Sequence, residues 1–494
     1  ALPICFDDSA TGRSGAASTG TVMLDSVTYQ GTVSASNLNL KAGAMVVSGN
    51  ATLGGFESLA GTTLTVGSTL STDIASGTTQ TVAGVLNGAG AFSKAGAGKL
   101  VFTGGSAYTG GTTISAGTVQ VGNGGTVGNL GSGTIANDGT LIYKRSDNFG
   151  VADIIIGSGV LRQEGSGMLT LSAANTYTGA TTVNTGTLGL SSDSNLGTAP
   201  SSAQANQLVL NSGAGLYFYP VFTASLNANR GIALTGSTTF NTATGSEVTY
   251  AGALAGTGSL SKTGTGVLRL GGANTYSGGT TVSAGQLIAG GAANALGSGN
   301  VTVSSTRLSF DTTGPVTYSN AISLTGTGVL ENTGAQAVTF NGGVNTNLTT
   351  TVVVDGGSAG LTIANVMTPT GAGAGAGASA SYYIKGDVTF TGHNMNSLVV
   401  RAAGEATAKF TATNGVTSFT PWFIGSDTAA YAMNIDVGAG VSVSENSSQG
   451  AASLYYKNIT GAGTLSLGGS AATTGYVVGD VTIANLNASG SKKI

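Results

Sequence analysis

Three stretches of the chain say nearly the same thing. Residues 100–114 read LVFTGGSAYTGGTTI, residues 169–183 LTLSAANTYTGATTV and residues 268–282 LRLGGANTYSGGTTV. Aligned on Tyr108, Tyr177 and Tyr276, the likeness extends upstream. It runs through GAGAFSKAGAGKLVF from Gly88, GSGVLRQEGSGMLTL from Gly157 and GTGSLSKTGTGVLRL from Gly256. A phrase of this length, repeated, marks a stacked array. Each unit has an apolar face it cannot bury alone, and stacking neighbours makes that face continuous. The tyrosines lie 69 and 99 residues apart, so degenerate coils separate the copies.

Alternation fills the intervals. In VLRLGG, Leu268 and Leu270 face one way and Arg269 the other. Thr280 and Val282 share a face, and so do Leu287 and Ala289. No apolar stripe at helical spacing competes with this pattern. Strands of about 3–6 residues end at Gly or Asn. Gly accounts for 84 of the 494 residues, more than twice the usual ~7%. Pro is 6, which excludes collagen, and a hydrophobic content of 40% with 7% charged residues excludes ordinary disorder. Sandwiches and solenoids both use many short strands, and the repeat decides for the solenoid. The expected fold is an all-β parallel β-helix, an elongated rod with coils of ~20–25 residues and strands ~4.8 Å apart. The β-helix is placed over residues 1–367, with repeats near 88–122, 157–190 and 256–290. TPTGAGAGAGASAS (368–381) reads as a Gly/Ala-rich loop. Residues 382–494 hold Tyr382, Tyr383, His393, Trp422, Phe423, Tyr455 and Tyr456, and are expected to continue or cap the solenoid.

Charge and special residues exclude several function classes. The net charge is −3 and no basic run exists, so nucleic acid is not an expected partner. No stretch of ~20 apolar residues is present, so no membrane-spanning helix is expected. Cys5 is the one cysteine; it is either a small buried hydrophobe or a handle for intermolecular pairing. The chain opens at Ala1, as a mature N-terminus does after signal-peptide removal. His393 is the one histidine, with no G-x-S-x-G elbow and no second His or Cys partner for a metal. No calcium-binding G-G-x-G-x-D nonapeptide occurs. No cofactor or metal is expected.

The repeated phrase resembles the passenger-associated repeat of bacterial autotransporter adhesins. That pattern is roughly G-x-G-x-L-x-K-x-G-x-G-x-L-x-L-x-G-x-N-T-Y-x-G-x-T-T-V-x-x-G-x-L. Gly256, Gly258, Leu260, Lys262, Gly264, Gly266, Leu268, Leu270, Asn274, Thr275, Tyr276, Gly278, Thr280, Thr281, Val282, Gly285 and Leu287 match it in order. The second copy departs at Gln163, where the Lys stands in the third. The first copy has Phe92, Phe102 and Ser106 for Leu, Leu and Asn. The resemblance implies a right-handed β-helix, secreted or held at the bacterial cell surface, acting in adhesion, self-aggregation and biofilm formation. It also implies a C-terminal membrane barrel. This sequence ends in NLNASGSKKI instead, so the expectation is a passenger-like chain without the barrel, either because the barrel was removed or because this is a free secreted protein with the same repeat.

These readings converge on a non-enzymatic extracellular structural protein that associates with itself, through solenoid ends or lateral faces, in adhesion, aggregation, biofilm or filaments. One alternative is an adhesin passenger that binds a host or matrix polysaccharide ligand. Another is a polysaccharide-active enzyme, which would need convergent carboxylates in one groove. No enzyme activity is expected. In the repeats, Leu100, Leu169, Leu171, Leu268, Leu270 and Val282 should form core, while Tyr108, Asn175, Tyr177, Asn274 and Tyr276 should hold turns between coils. Trp422 and Phe423, after Pro421, are candidate ligand contacts.

Overall fold

The computed structural model describes residues 18–29, 33–346, 352–364, 380–391, 398–411, 418–419, 423–425, 432–446, 454–468, 475–477 and 479–488. Every strand pairing resolved among them is parallel, and the one helical element is a single 3-10 turn, Asp193–Leu196. Parallel neighbours without helical crossovers mean that the chain circles once and returns one strand higher. It is a β-solenoid. Contacts divide it into two compact units, Ala1–Thr239 and Phe240–Ile494.

In the first unit one column of paired residues shows how the stack is built. Gln80, Leu100, Val119, Leu141, Leu161, Thr181, Leu208 and Ile232 lie in register across eight successive strands. All eight are buried. Successive members are 19 to 27 residues apart in sequence, a slightly wider spread than the ~20–25 expected. Each buried Leu or Val contributes ~1.5–3 kcal/mol, but only once a coil lies on either side. The alternation seen in sequence is therefore a division between the inside and outside of one wall.

The same column shows that the repeat does not stay on one face. Leu100 belongs to the second strand of the first copy, Lys99–Phe102, whereas Leu161 belongs to the first strand of the second copy, Val160–Gln163. The first strand of the first copy, Ala91–Ala95, stacks instead in a column running through Leu70, Phe92, Thr112, Ile135 and Ile155. The second copy is thus turned by one face of the coil relative to the first.

The second unit carries an equivalent column of Val248, Leu268, Leu287, Leu308, Leu330, Val354 and Ile384, all fully buried. Of the Gly/Ala-rich stretch 368–381, Ala380 and Ser381 lie within the described residues, and they open the strand Ala380–Phe390. Parallel pairing continues past that point, with Ala408 on Ile435 and Ile459 on Val481.

Candidate functional site: the clasp of the repeat

The side chains that make the repeated phrase recognisable point inward or across coils. Leu100, Leu169, Leu171, Leu268, Leu270 and Val282 are each at most 1% exposed. Arg269, between two of them, faces outward and pairs with Asp311 at 2.7 Å. Tyr108, Tyr177 and Tyr276 are buried as completely as the leucines, although each carries a hydroxyl. The hydroxyl is satisfied four residues on, by Thr112 at 2.7 Å, Thr181 at 2.8 Å and Thr280 at 2.5 Å. This explains the T-T-V that follows the tyrosine. The first Thr points inward to meet the phenol, and the second faces out. Burial pushes the Tyr108 and Tyr177 phenols up to about 12 and the Tyr276 phenol up as well, so all three stay protonated and neutral.

The asparagine two residues before the tyrosine spans three coils. Asn274 Oδ1 accepts from the Leu254 backbone N–H below at 2.8 Å, and its Nδ2 donates to the Ala295 carbonyl above at 2.5 Å. Asn175 does the same between Ile155 (2.8 Å) and Asn195 (2.7 Å). Buried backbone groups without partners cost ~1–3 kcal/mol each, so one amide that satisfies two of them at a corner is worth repeating. The first copy has Ser106 at this position, and the link is made from the other side. Asn129 Oδ1 accepts from Ser106 N–H at 2.8 Å, and its Nδ2 donates to the Ser106 carbonyl at 2.7 Å.

The lysine of the phrase lies in the core. Lys94 and Lys262 are 0% exposed. Lys262 Nζ donates to the carbonyls of Thr263 (3.0 Å), Gly264 (2.8 Å) and Ala284 (3.0 Å). Lys94 Nζ reaches Ala95 and Gly96 at 2.7 Å and Ala116 at 3.2 Å. An ammonium has three donors and no acceptor, and the G-x-G turn offers a matching ring of carbonyls. Burial pushes Lys262 down to about 8. It also lowers Lys94, against the opposing pull of the Asp73 charge. In the second copy the departure at Gln163 keeps the same role without charge, since its amide donates to Gly165 (3.0 Å) and Gly167 (2.9 Å).

Outside the phrase, one feature gave no sequence signal. Arg230 is 2% exposed and holds Asp193 with its Nε at 2.9 Å, and the Leu196 and Gly197 carbonyls at 2.9 and 2.6 Å. It staples the long coil that bears the 3-10 turn. On the outer wall of the second unit, Glu331 accepts from Ser309 Oγ at 2.5 Å, from Gln286 Nε2 at 3.4 Å and from Arg307. The carboxylate is committed to neighbouring side chains. Among the described residues no group of three or more His, Cys, Asp or Glu is placed to hold a metal ion. Trp422, His393 and Cys5 lie outside the described residues. Phe423 is described as backbone in the short strand Phe423–Gly425, paired with Val399.

The passenger-associated-transport-repeat family matches at residues 92–121, 161–190 and 260–289, the three segments whose clasps are described above. The adhesin BmaC autotransporter of Brucella suis biovar 1 (strain 1330) is 33% identical over 106 residues. The match covers 22% of this chain and 3% of that protein, so the chain spans a small part of its relative's length. No solved structure matches. The chain is a β-solenoid that carries three such repeats and is similar to autotransporter passengers over those segments.

Proposed function

We propose that this chain is a non-enzymatic, adhesin-like protein of the bacterial exterior, secreted or displayed on the cell surface, which works by associating with copies of itself. The observation that carries this reading is where the repeated side chains go. The Leu, Lys and Asn of the phrase, and the Tyr with the first Thr after it, are consumed inside the stack, with Lys and Asn bonding across coils. What the repeats build is length and a regular wall, which suits a scaffold for contact between surfaces. A low density of charge gives little repulsion between copies, and the relative's name, an adhesin, points the same way. Multi-angle light scattering across a wide concentration range tests self-association. Mass should grow with concentration, and electron micrographs of the same samples should show fibres or bundles. A mass that stays monomeric at every concentration would sink the proposal.

A further inference from the structure

The outer wall of the second unit carries a surface with no charge on it. The strands Ser259–Thr263, Thr280–Val282, Val301–Ser304, Ile322–Thr325 and Val344–Thr346 stack in parallel. Their outward residues form a file in register: Ser261, Thr281, Thr302, Ser323 and Asn345. Two residues further along is a second file of Thr263, Ser283, Ser304 and Thr325. Between the files the intervening residues Lys262, Val282, Val303 and Leu324 are buried. The result is a ladder of outward hydroxyls at Ser261, Thr281, Thr302 and Ser323, ~4.8 Å apart between coils, beside a second file in which Ser283 and Thr325 donate to the Lys262 and Val303 carbonyls of the wall itself.

Beside the first file the wall is indented. An open groove of about 490 Å³ is lined by Ser277, Gly278, Gly279, Thr281, Gly299, Asn300 and Thr302, among others. A Cβ on Gly279 would lie 2.8 Å from the Asn300 carbonyl oxygen one coil above, so this glycine lets the two coils close together here. Its φ of +87° also reserves the position for glycine. At the corresponding place in the second repeat a side chain lies across the turn: Gln207 Nε2 donates to the Thr178 and Gly179 carbonyls, both at 3.1 Å.

We infer that this groove and the first hydroxyl file beside it bind a neutral polysaccharide strand. Charge decides the chemistry. A polyanion or an acidic peptide needs cations, and the one cation in these strands, Lys262, is buried with its ammonium spent on backbone carbonyls. An apolar ligand needs exposed aliphatic or aromatic surface, and neither file contains any. What the first file offers is a hydroxyl, donor and acceptor in one group, repeated at each coil from Ser261 to Ser323. A polymer of uncharged, hydroxyl-bearing rings matches it, and weak contacts add along the strand by avidity. Concavity argues against a second copy of the chain as the occupant, since a flat file fits its own duplicate without a groove.

Affinity electrophoresis of the purified chain through gels containing dextran, a neutral β-glucan or alginate tests this. Retardation by a neutral polymer that persists at high salt is expected, with none from alginate. Thr281→Glu and Thr302→Glu should each weaken it at least about tenfold, because a carboxylate must then be desolvated against an uncharged ligand. Thr113→Glu, at the equivalent outward position of the first repeat, should leave it unchanged. Circular dichroism and melting temperature establish that each variant is folded. Failure of both neutral polymers to retard the chain overturns the proposal. So does salt-sensitive binding to alginate, or full binding by both folded variants. Self-association is read separately by light scattering: a monomer that binds glucan sinks the preceding proposal alone, and an assembling chain that binds none sinks this one alone.

Discussion

A single buried cation shows what each residue of the phrase is for. Lys262 is held at about 8 by burial, below the 10.5 of an exposed lysine. Between those values the unfolded chain keeps a proton that the folded chain has released, so stability rises with pH across this window. Below about pH 8 both states are charged and the cost of burying the ammonium is present in full. Lys262→Met removes the titration and leaves three carbonyls without their donor. Melting temperatures of the wild type and the variant should therefore diverge, with the wild type gaining on the variant from about pH 8 toward 10. The buried tyrosines act in the opposite direction. Their raised values make the unfolded chain lose protons first, which costs stability above about pH 10, but that contribution is common to both proteins and cancels in the difference. A difference that stays flat from pH 7 to 10 would show that the carbonyl ring, and not desolvation, sets the affinity of Lys262 for its proton.

At the scale of the coil, the corner after T-T-V sets the join between strands. Gly117, Gly186 and Gly285 occupy this corner in the three copies, with φ of +67°, +71° and +67°. A Cβ on Gly285 would lie 2.3 Å from the Gly266 carbonyl oxygen of the coil below and 2.6 Å from that of Gly264. Gly213 has a φ of +81° but open space around it. Gly213→Ala should therefore cost only the left-handed strain, on the order of 1–3 kcal/mol. Gly285→Ala adds a backbone clash and should cost clearly more, read as the larger fall in denaturation midpoint; equal falls would mean that the coils part easily. Much of this element was legible in the sequence. Alternation identified the buried leucines, and the repetition of Asn and Tyr marked a link between coils. The lysine was not legible as core, because an isolated K between polar residues looks like an exposed side chain until the carbonyls that surround it are in place. The compensation at Ser106 was hidden for a similar reason. Its partner, Asn129, stands 23 residues away in the next coil.

Within each unit the coils form an array in which contacts are made mainly with the coil above and the coil below. Its repeats need not align on one face, as the first two show, because each position of the wall accepts any strand with the right alternation. This also explains why unequal spacing of the copies does no harm, and why the coils between them can lose the phrase and keep the rhythm. Stability in such an array is a sum of nearest-neighbour terms rather than a property of one central core. Leu308 tests this directly, since it lies between Leu287 below and Leu330 above, and all three are fully buried. Leu308→Ala should cost ~2–5 kcal/mol locally through the cavity it leaves. Hydrogen exchange should rise in the strands Gln286–Gly290, Arg307–Asp311 and Val329–Asn332. Protection should persist in the strand Met433–Val437 of the same unit, several coils further on. Uniform loss of protection across the second unit would instead mean that its coils open together, and that the repeat builds one cooperative block.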